Sequence, residues 1–302
     1  MTRSELTAAH PNFFIVGAPR CGTTAMYEYL RQHPDIFMPY RKEPVYFGAD
    51  LHKRVPTLDE EGYLSLFRPG RNKRRRGEAS VWYLYSKTAA AEIKAFSPDA
   101  RIIIMLRNPV DMIHSLHAHW LFTANEDIVD FAEALAAEPD RLRGERMPPR
   151  AVRPEGLQYR TLGRYAPHVR RYLDTFGASN VKVIVFDDFK AHPADAFRAT
   201  LQFLDVDPAF VPDFSVVNEN KGVRSVTLQQ LTASPRFRNA IGRLPGPVHH
   251  AVRRLLKRAN IKRERRSALD PALRASLTNE FARDVEELGT VIGRDLSAWS
   301  RA

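Results

Sequence analysis

One cysteine, Cys21, stands in a chain of 302 residues, so no intramolecular disulfide can form. No apolar run is long enough to span a bilayer. Met1 to His10 lack the apolar stretch of a secretory signal, and a cytoplasmic protein is the expectation. Acidic residues fall short of basic ones, 35 against 46, leaving a formal charge of +11. That imbalance favours anionic partners such as nucleotides, acidic glycans, nucleic acid or membrane surfaces, and does not choose among them. Internal repeats and low-complexity tracts are absent. What is there, 44% hydrophobic and 27% charged, is the composition of a protein with a full core. We expect a single domain over residues 1–302, with a core of about 11–300 and a basic helical segment at about 244–268.

The chain is organised around Phe13-Phe14-Ile15-Val16-Gly17-Ala18-Pro19-Arg20-Cys21-Gly22-Thr23-Thr24. Four apolar residues bounded by glycine predict a short buried strand. Met26 and Leu30, one turn apart on a single face, predict a helix after Thr24. A strand that feeds a helix through a small-residue turn aims free N–H groups and the positive end of the helix dipole at one point, which is an anion site. The spacing fits G-x-x-x-x-G-K-[ST] except that Thr23 replaces the lysine, which argues against γ-phosphoryl transfer. Arg20 supplies a basic residue within the loop. A phosphatase-like role for Cys21 needs an arginine six positions on, where Tyr27 stands.

Arg101-Ile102-Ile103-Ile104-Met105-Leu106 reads as a strand buried on both faces of a parallel sheet. Asn108 is then a helix cap, with Pro109 at the first helical position. Arg107 therefore stands at the carboxyl end of a central strand, where open α/β sheets bind ligands. Ser115 lies roughly 9 Å further along the helix, on a side that can return to the same crevice. His114, His117 and His119 cluster in that helix. Positions 114 and 117 share a face, yet no cysteine or carboxylate completes a metal set, so packing or surface roles are expected.

Glu43, beside Lys42 and before Pro44, is a candidate general base or an ordinary solvated ion pair. The basic run Arg71 to Arg76 is a surface loop or an acidic-substrate contact. Residues 138–155, with four prolines, read as a long loop, an acceptor-site lid. Tyr165 to Leu173 predicts a helix ending near Gly177, Val181 to Phe186 a strand, Pro193 to Leu204 a helix and Pro271 to Leu288 another. Val248 to Arg266 suits a basic amphipathic helix, with a solvated surface helix as the plainer alternative.

Phe14 to Leu30 resembles the 5′-phosphosulfate loop of sulfotransferases that use 3′-phosphoadenosine 5′-phosphosulfate (PAPS), with arginine in the basic position of G-x-P-[KR]-x-G-T-T. Lys42-Glu43-Pro44-Val45-Tyr46-Phe47 resembles the Lys-Glu-Pro-x-x-Phe segment of the heparan-type and bacterial members, in which the glutamate is the usual base. Gly77-Glu78-Ala79-Ser80-Val81-Trp82-Tyr83 resembles their Gly-Glu-x-[ST]-x-x-Tyr segment, which lines the acceptor side. Ala79 departs from the lysine that many glycan-directed members carry, which leaves Lys42 as the nearest substitute. Arg107 and Ser115 resemble the 3′-phosphate site. Asn218 to Ser225, with Lys221, Gly222 and Arg224, resembles the late loop over that phosphate.

The resemblance, from Phe13 to Trp299, implies an α/β, P-loop nucleotide-binding-like fold with a central parallel sheet flanked by helices. It implies sulfuryl transfer from PAPS to a hydroxyl or amine of a glycan, lipid or small molecule, an acceptor that is anionic or membrane-associated. Glu43 is then the base, with Lys42 and Arg20 in the catalytic set. Arg20, Cys21, Gly22, Thr23, Thr24, Arg107, Ser115, Lys221, Gly222 and Arg224 hold PAPS or its product 3′-phosphoadenosine 5′-phosphate (PAP). Ser80, Tyr83 and His119 face the acceptor, with a histidine as the alternative base. No metal is expected, because PAPS has no β,γ-bridge to neutralise, and no nucleic acid. A P-loop kinase and a basic nucleic-acid or membrane-surface binding protein are the rival readings.

Overall fold

The apolar runs assemble one parallel sheet. Phe13–Gly17 (β1), Ile36–Phe37 (β2), Arg75–Ala79 (β3), Arg101–Leu106 (β4) and Val181–Val185 (β5) lie in the order β2-β3-β1-β4-β5, and every pairing is parallel. Every residue of β1 is buried, as are Ile102 to Leu106 of β4, the pattern of strands covered on both faces. The computed structural model describes residues 10–51, 57–215, 222–223, 237, 261–262 and 268–301.

Two compact units divide the chain, and the sheet belongs to the first, residues 1–112, 164–218 and 278–302. Gly77 of β3 is where the Phe13 ring crosses the sheet; a Cβ there would stand 2.1 Å from that ring. Helices Thr23–Leu30 (α1), Glu60–Ser65 (α2) and Ala89–Phe96 (α3) follow in this unit. Pro109–Thr123 (α4) starts in it, with the Asn108 side-chain oxygen accepting from the Val110 amide at 3.0 Å, the expected cap.

The second unit holds residues 113–163 and 219–277. After the rest of α4 come Phe131–Ala136 (α5), Glu138–Leu142 (α6) and Tyr159–Gly163 (α7). The expected loop at 138–155 thus begins as a helix. Its anchor is an ion pair with both side chains fully buried: the Arg141 guanidinium donates to both carboxylate oxygens of Glu126, at 2.6 and 2.8 Å. Tyr159 and the amides of Asp127 and Ile128 donate to the same carboxylate. Burial alone would raise the Glu126 pKa, but this set of donors holds it below its ordinary value.

Back in the first unit are Ala166–Phe176 (α8), Phe186–Ala191 (α9) and Pro193–Phe203 (α10), close to the sequence expectation. Ala166, Val169, Tyr172 and Phe176 form the buried face of α8. Strand β5 stops at Val185, one residue early, because Phe186 opens α9. Pro271–Ile292 (α11) runs a turn past the expected end. Gly222–Val223 (β6) and Ile261–Lys262 (β7) pair antiparallel in the second unit. The rest of the expected basic helix at 248–266 lies outside the described residues. No described helix is long and apolar enough to cross a membrane.

Candidate active site

The chain runs from β1 to β2 and β3 on one side and crosses to β4 on the other, so the carboxyl ends of β1 and β4 form the switch point of the sheet. Residues 18–22 leave β1 there. The Ala18 amide donates to the Met105 carbonyl at 2.6 Å, which pins the loop to the end of β4. Gly22 adopts φ of +86° and caps α1 without any side-chain bond. The first-turn amides of α1 are therefore left to an external acceptor. A side chain at Gly22 would also meet the Phe186 ring at 3.0 Å, so glycine is required twice over.

Two guanidiniums reach this place. Arg20 comes from the loop, in left-handed backbone at φ of +65°. Arg107 comes from the end of β4, with its guanidinium 5.1 Å above the Phe186 ring and 3.7 Å from the Asp111 carboxylate. Burial, and then the positive charge of Arg107, hold the pKa of Arg20 below its ordinary value. Two like charges this close favour any anion that arrives between them. Cys21 is fully buried, its thiol turned to the Pro19 carbonyl at 3.4 Å. Burial pushes that thiol up to about 12, against the pull of Arg107, so it stays protonated. What Cys21 offers an anion is its main chain.

A second segment stands beside the loop. Glu43 and Val45 both adopt positive φ, 57° and 55°, which is costly for a β-branched residue such as valine. The conformation is held from β3 and the turn after it. The Ala79 carbonyl accepts from the Glu43 amide at 3.1 Å, and the Ser80 hydroxyl accepts from the Val45 amide at 3.2 Å. The Tyr83 hydroxyl accepts from the amides of Tyr46 and Phe47, at 2.8 and 3.1 Å. Held this way, the Glu43 carboxylate keeps 35% of its side chain exposed and pairs with the Lys42 ammonium at 2.8 Å. A half-exposed carboxylate on a hydrogen-bonded strap that leaves the sheet beside β1 and its loop has the form of a general base.

Residues 10–243 match the family model of the sulfotransferase domain. The chain belongs to the sulfotransferase domain family. A crystal structure of a sulfotransferase from Alicyclobacillus acidocaldarius, 36% identical, covers 97% of this chain and 100% of its own at a TM-score of 0.74. The mouse bifunctional heparan sulfate N-deacetylase/N-sulfotransferase 1 is 30% identical over 210 residues, 65% of this chain and 22% of that protein. Mouse carbohydrate sulfotransferase 15 is 28% identical over 255 residues, 66% of this chain and 44% of that protein. The chain thus spans less than half the length of these curated relatives. The mouse sulfotransferase SULT7A1 complexed with PAP, 16% identical, covers 96% of this chain and 92% of its own at a TM-score of 0.50, which is a likeness of fold.

The remaining predicted residues of this family member are placed as follows. Ser80 and Tyr83, expected to face the acceptor, are 1% exposed and act instead as the posts of the Glu43 strap. Thr23 is buried and Thr24 half-buried at the start of α1. Ser115, buried, and His119, half-buried with its ring 5.5 Å from that of Trp120, lie in the second unit. His114 and His117 pack on Phe131 there, and His117 Nε2 lies 2.9 Å from the Ile128 carbonyl. Among the described residues no group of three His, Cys, Asp or Glu could hold a metal. Lys221 and Arg224 lie outside the described residues, and Gly222 is described only as main chain of β6.

Residues 71–74 of the basic run are exposed, as a surface loop would be, and its later arginines are engaged by the protein itself. Arg74 and Arg75 reach Asp205, Arg75 the Leu204 carbonyl, and Arg76 the carbonyls of His10 and Lys73. It sits at the amino end of β3, opposite the strand ends that carry the site. Glu78 has no role of its own in the Gly-Glu-x-[ST]-x-x-Tyr motif. Its signal was a lone carboxylate in a strand whose other carboxyl-end residues, Gly77 and Ala79, are small and buried.

Proposed function

We propose that this chain transfers a sulfuryl group from PAPS to a hydroxyl or amine, with carbohydrate as the acceptor class. The observation that carries the reading is the convergence of Arg20 and Arg107 on the uncapped start of α1, beside Glu43, in a chain of this family. The carbohydrate assignment draws on relatives whose names specify heparan sulfate and carbohydrate.

In this reading Glu43 takes the acceptor proton while the acceptor oxygen or nitrogen bonds to sulfur. The bond from sulfur to the 5′-phosphate oxygen breaks, and its electron pair leaves with the phosphate. Arg20 and the amides of residues 21–24 stabilise the charge that gathers there. Lys42 holds the Glu43 carboxylate in place, and Arg107 anchors the 3′-phosphate. Calorimetry with PAP, ATP–magnesium and an oligonucleotide tests the donor, and transfer from labelled PAPS to pools of desulfated heparin oligosaccharides, lipids and phenols tests the acceptor. Binding of PAP alone and labelling of the oligosaccharides are expected. Preference for ATP–magnesium or the oligonucleotide would overturn the reading.

A further inference from the structure

Beneath the Glu43 strap lies a carboxyl that the reaction above does not use. Glu78, on β3, is 1% exposed. Its Oε2 accepts from the Tyr63 hydroxyl of α2 at 2.5 Å, and its Oε1 is buried with no hydrogen-bond partner. The Tyr63 ring stacks at 4.2 Å on that of Tyr46, a strap residue, and meets the Phe47 ring edge-on at 5.6 Å.

The geometry around Tyr83 gives Glu78 its task. A phenol oxygen accepts two hydrogen bonds and donates one. The amides of Tyr46 and Phe47 fill both acceptor places of Tyr83. Its proton is then left for another acceptor, and Glu78, whose Oε1 is unpartnered, and Ser80 are its side-chain neighbours. We propose that Glu78 is the positioning residue of the candidate base: as the buried acceptor for Tyr63 and Tyr83, it orients the two tyrosines that hold Tyr46 and Phe47, the end of the strap that follows the left-handed Glu43 and Val45. This rests on Glu43 being the base.

The groups facing Glu78 are few. Tyr63 comes from α2, Ser80 and Tyr83 from the turn after β3, Tyr172 from α8, and Glu43, paired with Lys42, from the strap. Burial is the main influence on Glu78 and lifts its pKa to about 7. The three hydroxyls oppose that rise, and the nearby Glu43 charge adds to it. Ionisation of Glu78 therefore falls near neutrality, and it changes the acceptor that Tyr83 sees. The strap amides report it.

The test compares wild type with Glu78→Gln and Tyr83→Phe. In amide NMR between about pH 5 and pH 9, the Tyr46 and Phe47 signals of wild type should titrate with a midpoint near that of Glu78 and lie flat in Glu78→Gln. With labelled PAPS and a desulfated heparin oligosaccharide, both variants should lose about 10–100-fold in kcat, the scale of a small misplacement of a reacting group. Calorimetric affinity for PAP should hold in both, which a general loss of folding would not allow. Strap amides that ignore pH in wild type, or variants that keep wild-type kcat, overturn the proposal. A wild type that transfers nothing to the oligosaccharide counts against the function proposed above, and the amide titration still decides the role of Glu78.

Discussion

Glu78 also sets how stability depends on pH. Its folded pKa, about 7, lies above the ordinary 4.5 because burial penalises the charged form. Below pH 4.5 both folded and unfolded states are protonated, so the group contributes no pH dependence. As pH rises from 4.5 to about 7 the unfolded chain loses its proton while the folded one keeps it, and stability falls. Above about 7 both states are ionised and the loss is complete. At about 1.4 kcal/mol per decade the rise amounts to about 3 kcal/mol. Glu78→Gln removes the ionisable group, and its stability relative to wild type should therefore improve by about 3 kcal/mol between pH 4 and pH 8. Urea unfolding of both proteins, followed by tryptophan fluorescence at a series of pH values, measures that difference. His10, His117 and His168, all lowered chiefly by burial, titrate in both proteins and cancel in the comparison. Parallel stability curves for the two proteins would refute the argument, since they would mean that Glu78 carries its charge equally well in both states.

Glu43→Gln keeps the shape of the strap but removes the proton acceptor, so kcat should fall by about 10²–10⁴-fold with PAP affinity unchanged; a variant with more than about a tenth of wild-type kcat, chemistry being rate-limiting, excludes the role. Arg107→Ala should weaken PAP by about 1.5–3 kcal/mol, the worth of a hydrogen bond to a charged group, and leave adenosine 5′-phosphate nearly unaffected. Equal losses for the two ligands in calorimetry would reassign Arg107. Arg141→Met leaves the Glu126 carboxylate buried without its partner and should cost about 3–5 kcal/mol in denaturant unfolding. The double variant with Glu126→Leu should recover much of it; no recovery would show that the ion pair itself, rather than the stranded charge, carries the stability.

Several features were legible because their causes are local. Four apolar residues before a glycine and a threonine pair are enough to write strand, loop and helix in the stretch from Phe13 to Leu30. The same holds for β4, for Arg107 at its end and for the Asn108–Pro109 start of α4, since cap and proline act within one turn. Pairing of β1 with β4 then brings Arg20 and Arg107 together, an outcome implied once both runs are read as central strands.

Tertiary structure decided what depends on residues distant along the chain. Ser80 and Tyr83 look like acceptor contacts in a motif, yet their hydroxyls are spent on amides 35 to 37 residues away. Arg75 looks like part of a solvent-facing charge run, yet the Leu204 carbonyl and the Asp205 carboxylate, about 130 residues on, hold it, while Arg74 pairs with the same Asp205 and stays 58% exposed. Residues 138–142 carry a proline and read as loop, but a proline in the first turn costs a helix nothing, and Arg141 docks on Glu126. Cys21 is inert and Glu78 poised for one physical reason: each is fully removed from water, and burial, set by the whole fold and not by neighbouring residues, fixes the protonation state of both.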